Sequence, residues 1–149
     1  MEAKEYLNKI KILDVKVKNK RLEIEDIHNQ MKGMTGISYE PKEGVSGTIN
    51  NKSPQERLIH KYIEYQNELN DIINELFEYK KQAMKLIDKI NKAEYVDVLY
   101  KRYIHYMKWE QIAIDMNYTY RSVLKIHGQA LKEFDKILKL DTKIHIQTC

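Results

Sequence analysis

Arg121 and Lys125 stand four residues apart in the run Y-T-Y-R-S-V-L-K-I-H-G at 118–128. On a helix that spacing puts two cations on one face. A guanidinium can fork onto O6 and N7 of guanine, an ammonium can reach a base edge or a phosphate, and an aromatic or aliphatic side chain can meet the thymine methyl group. Tyr120, Arg121, Ser122, Leu124 and Lys125 are therefore expected to read base edges in a major groove. Lys101, Arg102, Lys108, Thr119 and Lys132 are the expected phosphate contacts, which fix position without reading sequence.

Such residues work only if a second helix holds theirs at the right angle. The stretch Trp109–Gly128 meets the steric demands of a helix-turn-helix. The two helices cross closely, and small Ala113 stands at the fifth place. The turn needs a residue that tolerates left-handed backbone geometry, and Asn117 stands four places later. Val123 and Ile126 supply apolar residues at the fifteenth and eighteenth places. Ile112, Met116 and Tyr118 are expected to fill the other inward positions, and Thr119 to cap the second helix. An ordinary helical hairpin is the plainer alternative.

The longer stretch L-Y-K-R-Y-I-H-Y-M-K-W-E-Q-I-A-I-D-M-N-Y-T-Y-R-S-V-L-K-I-H-G-Q-A-L resembles region 4 of bacterial sigma factors, over about residues 95–138. It is most similar in style to small phage and prophage transcriptional regulators of the ArpU and RinA type. Arg102-Tyr103-Ile104, Trp109 to Ala113 and Ile126 to Leu131 carry the resemblance. It implies promoter DNA and RNA polymerase as partners, and it puts the groove-reading positions on Tyr120, Arg121, Leu124 and Lys125. No segment resembles sigma region 2.

Upstream the pattern is helical throughout. Residues 3–31 carry a stripe of Tyr6, Ile10, Leu13, Val17, Ile24, Ile27 and Met31, interrupted at Lys20. Ser53-Pro54-Gln55-Glu56 reads as a capping box with proline at the first helical position. From there Leu58, Tyr62, Tyr65, Leu69, Ile72, Leu76, Tyr79, Ala83, Leu86 and Ile90 alternate steps of four and three, a coiled-coil repeat. A second row, Ile59, Ile63, Ile73, Phe77, Met84 and Ile87, widens the apolar face beyond what one partner helix covers. Residues 3–31 folded back, or a second copy of the chain, are the candidates to cover it. Helices are also expected at Tyr95–Tyr106 and Tyr120–Leu138.

The expected fold is all-α: a long coiled-coil-like helical hairpin at 1–92 with a flexible loop at about 33–52, a helix-turn-helix domain at 93–138 and a fraying tail at 139–149. Four of the five glycines fall in that loop, which is why no helix is expected across it.

The net charge of +4 sits entirely in the last third: residues 1–99 hold 17 Lys/Arg and 17 Asp/Glu, residues 100–149 hold 9 and 5. A basic segment favours a polyanion. The only cysteine is Cys149, which suits a reducing cytoplasm. The amino-terminal run lacks an apolar signal core, and no stretch reaches membrane-span length. His28, His60, His105, His127 and His145 form no zinc-ligand pairing, and His127 is expected at the surface or near a phosphate. No phosphate-binding glycine loop or nucleophile motif occurs. The expectation is therefore a non-enzymatic, cofactor-free regulator that binds double-stranded DNA, acts with RNA polymerase and forms a homo-oligomer, a dimer first of all. A small-terminase-like DNA-packaging protein and a helical adaptor or inhibitor of another protein are the alternatives.

Overall fold

A computed structural model describes residues 2–34 and 53–148. Five α-helices make up its elements: α1 (Ala3–Met34), α2 (Pro54–Asp88), α3 (Ala93–Leu99), α4 (Trp109–Met116) and α5 (Tyr120–Gln147). A π-helical turn at Tyr100–Ile104 continues α3. No strand occurs among the described residues. α1 runs through Gly33 to Met34, so the first two residues of the expected loop at about 33–52 are helical. Its remainder lies outside the described residues.

The start of α2 follows from its sequence. The Glu56 N–H donates to Ser53 Oγ at 3.2 Å, and the Ser53 N–H donates to Glu56 Oε2 at 3.3 Å. This reciprocal pair satisfies two backbone donors that a helix start leaves open.

The chain divides into two compact units, residues 15–74 and residues 1–14 with 75–149. This differs from a division at 92. In the first unit α1 and α2 run antiparallel. Val17, Ile24, Ile27 and Leu69 are buried there. Lys20 does not break the seam as its charge suggests. Its ammonium lies 2.9 Å from both Glu23 and Glu68 and 4.2 Å from the centroid of the Tyr65 ring. The aliphatic stem fills the stripe while two carboxylates and an aromatic face hold the charge.

The second unit has one core. The beginning of α1 supplies Ala3, Leu7 and Ile10, and the end of α2 supplies Ala83, Leu86, Ile87 and Ile90. α3 and the π-turn add Val98, Leu99, Tyr103 and Ile104; α4 adds Ile112 and Ala113; α5 adds Val123, Ile126, Ala130 and Phe134. Tyr6 stacks on Tyr79 at 4.8 Å, and the Tyr79 hydroxyl donates to the Tyr6 carbonyl at 3.0 Å. The first turns of α1 thus belong with the C-terminal helices, which explains the boundary.

The tail at 139–147 is helix rather than frayed chain. No proline or glycine follows Gly128 to stop it. Lys139 pairs with Asp135 one turn back at 2.6 Å, and the Thr142 hydroxyl donates to the Leu138 carbonyl at 2.8 Å. Lys89 of α2 also reaches Asp141 at 3.3 Å, so local pairs and one contact from α2 hold this exposed stretch of helix.

Candidate nucleic-acid interface

α4 and α5 are joined by a tight turn. Asn117 adopts φ 57° and ψ 37°, the left-handed region. The Tyr118 N–H donates to the Ala113 carbonyl at 3.0 Å and the Asn117 N–H to the Ile114 carbonyl at 3.2 Å. This is the double closure of a Schellman motif. Asn117→Ala should cost about 1–2 kcal/mol in urea unfolding, because a Cβ without a local polar partner is strained there. Asn117→Gly should cost close to nothing.

Beneath the turn, Ile112, Ala113, Val123 and Ile126 are buried as their spacing predicts. Tyr118 is a correction. It was expected inside, but it is 39% exposed, with its hydroxyl donating to Glu94 Oε1 at 2.6 Å. The Schellman closure turns the chain outward at that residue, so the ring lies over α3 rather than in the core.

α5 begins at a cap. The Ser122 N–H donates to Thr119 Oγ1 at 3.2 Å, and the Thr119 hydroxyl donates to Ser122 Oγ at 2.8 Å. Both hydroxyls are engaged in the cap, so Ser122 faces the helix start and not the open side. Tyr120, Arg121, Leu124 and Lys125 are all exposed. Arg121, Lys125, Gly128 and Lys132 follow one another at steps of four, three and four, and all four are exposed. They form one ridge about 16 Å long. Space around Gly128 is open, with nothing within 4 Å of a Cβ built there. Three cations on an open ridge, two of them in the first two turns of a helix, can meet polyanionic backbone and base edges together.

The remaining expected phosphate contacts divide. Lys108 is exposed at the cap position of α4, and Lys132 lies on the ridge. Lys101 is withdrawn: its ammonium bonds Asp97 and lies 3.1 Å from Asp115. The bond to Asp97 and the one to Asp115 raise its pKa against the opposing effect of desolvation. It ties the π-turn to α4. Arg102 is withdrawn too. Its guanidinium stacks 4.4 Å from the Trp109 ring centroid and donates to the Met107 carbonyl at 3.0 Å.

His127 is likewise not at the surface. It is 9% exposed, with Nε2 2.7 Å from the Tyr103 hydroxyl and its ring edge-on to Trp109 at 4.6 Å. Burial, then the positive charges of Lys4 and Arg102, push its pKa down to about 4. Val123, His127, Ala130 and Phe134 follow steps of four, three and four, and that stripe was the available signal for its burial.

Among the described residues no cluster of His, Cys, Asp and Glu could hold a metal ion, and no helix is long and apolar enough to cross a membrane. No match to this chain is found among protein-family models, curated proteins or solved structures.

Proposed function

We propose that this chain is a sequence-specific regulator of transcription that binds double-stranded DNA, with α4, the Asn117 turn and α5 acting as a helix-turn-helix and α5 entering the major groove. The observation that carries this reading is the exposed ridge of Arg121, Lys125 and Lys132 starting at a capped helix N-terminus. Arg121 faces a base pair, with Tyr120 and Leu124 beside it for thymine methyl groups. Lys125 meets a base or the backbone. Lys108, Lys132 and the N-terminus of α5 take phosphates. Lys101 and Arg102 act indirectly, by fixing α4. The resemblance of residues 95–138 to sigma region 4 supports promoter DNA as the target and RNA polymerase as a second partner, in the manner of phage-type regulators in the cytoplasm.

Selection from a pool of random duplexes at two salt concentrations tests the reading. A short enriched motif is expected, bound more weakly at the higher salt. Arg121→Ala should weaken binding to that motif by about 1–3 kcal/mol, roughly 5- to 150-fold, and relax the base preference at one position. Lys125→Ala should reduce affinity and flatten the salt dependence. Salt-sensitive binding without any preferred motif would move the reading to DNA packaging. No binding at either salt would move it to an adaptor of another protein.

A further inference from the structure

Along α2 a row of residues at steps of three and four lies outside the stripe that packs on α1: Glu56, Ile59, Ile63, Gln66, Asn70, Ile73, Phe77 and Lys80. Ile59, Ile63 and Phe77 are 47%, 52% and 65% exposed and Ile73 is half-buried, so two short apolar patches flank a polar centre at Gln66 and Asn70, an arrangement that marks an interaction site.

We propose that this row is the contact face of a homodimer in which two α2 helices lie antiparallel, related by a two-fold axis beside Glu68. The order of residue types is the argument. Read outward from Glu68 in either direction, the row gives a carboxamide, then two apolar residues, then a charge. The two end charges have opposite sign: Glu56, one of whose oxygens also accepts from the Ser53 N–H, and Lys80, whose ammonium lies 5.6 Å from the centroid of the Tyr106 ring. An antiparallel copy therefore sets Gln66 against the partner's Asn70, Ile63 against the partner's Ile73, Ile59 against the partner's Phe77, and Glu56 against the partner's Lys80. Every layer is matched twice, as an isologous interface requires. The positions alternate as the a and d sites of a heptad, and antiparallel helices pair a with d.

A parallel copy would set each residue against itself, placing Glu56 on the partner's Glu56 and Lys80 on the partner's Lys80. Like charges at both ends disfavour it. The flanking residues on the open side are His60, Asn67, Asn74 and Lys81, so the one lysine among them lies at the end of the antiparallel contact and no carboxylate flanks its apolar layers. Glu68, the acid nearest the axis, is turned to Lys20 at 2.9 Å and does not face its own copy. The Gln66 amide nitrogen already donates to the Tyr62 hydroxyl at 3.2 Å, which leaves its carbonyl oxygen to accept from the partner's Asn70. A polar pair within an apolar seam fixes one register. The inference uses none of the nucleic-acid reading.

Disulfide trapping tests it on the full chain carrying Cys149→Ser. Gln66→Cys and Asn70→Cys are made in separate chains, mixed and oxidised. A covalent dimer is expected in the mixture and little in either chain alone. Equal cross-linking of each variant with itself, or none in the mixture at about 0.1 mM, overturns the proposal. Sedimentation of the uncross-linked protein gives a second reading. Ile63→Glu, at an exposed position that leaves the fold intact, should raise the dimer dissociation constant at least about tenfold. Glu56→Lys should weaken the dimer more than Glu56→Gln, which keeps a carbonyl oxygen for the Ser53 N–H, and adding Lys80→Glu to the lysine variant should restore it. A chain that stays monomeric at about 0.1 mM, or a dimer indifferent to Ile63→Glu, overturns it equally.

Discussion

Phe134→Ala should lower the unfolding free energy by about 3–5 kcal/mol, a large share of what a domain of this size holds in reserve. The ring has no exposed surface. It stands where α5 meets the start of α1, 5.7 Å from the Tyr6 ring, which in turn stacks on Tyr79. Removing it takes away its own burial and opens a cavity that three helices would have to close. Phe134→Leu keeps most of the volume and should cost less than about 1.5 kcal/mol. Urea unfolding of both variants measures the difference. A loss below about 1 kcal/mol for the alanine variant would mean that residues 3–10 are not docked on α5 in solution.

Acidification should destabilise the same unit well before its carboxylates protonate. His127 has its folded pKa pushed down to about 4 from the ordinary value of 6.5. Below pH 6.5 the unfolded chain takes up a proton that the folded chain refuses, so stability is complete above 6.5 and falls as pH drops toward 4. The loss should reach about 2 kcal/mol by pH 5 and roughly 3 kcal/mol by pH 4. Burial is the main reason for the refusal, and the cations of Lys4 and Arg102 add to it. Urea unfolding at pH 7.5 and pH 5 tests this against the double variant Tyr103→Phe/His127→Phe, which removes both polar partners. The parent should lose the stated amount across that interval and the double variant much less. Equal slopes would place the sensitivity elsewhere.

Local constraints were legible in the sequence. The caps at Ser53 and Thr119, the left-handed Asn117 and the buried set of Ala113, Val123 and Ile126 each depend on residues within one turn or one hairpin. Periodicity identified the buried face of α1 and, in the folded-back hairpin, α2 as one candidate to cover it, but not the docking of Ala3, Leu7 and Ile10 onto the C-terminal core. Counting charges could not reveal pairing. Lys101 is bound to Asp97 and Asp115, and Arg102 to Trp109 and Met107, so neither contributes a free cation to the basic segment. The continuation of α5 past Leu138 was missed because its contacts are polar, side-chain pairs one turn apart and the reach of Lys89 to Asp141, rather than an apolar stripe.

Two helices with a seven-residue repeat can slide by one repeat and still bring apolar seams together. Lys20 removes that freedom from residues 15–74. In the observed alignment its ammonium finds Glu68 and the Tyr65 ring. Slid one repeat in one direction, it would meet Lys61; slid the other way, it would find Glu75 but lose the aromatic ring to Ile72, and Ile27 would lie against the carboxylate of Glu68. Either mistake opposes a charge or sets an apolar side chain against one, at a cost that solvent screening keeps to about 1 kcal/mol. A residue that looks like a flaw in the stripe is therefore an index mark: it adds little to the strength of the pairing and decides which of several near-equal pairings the chain adopts.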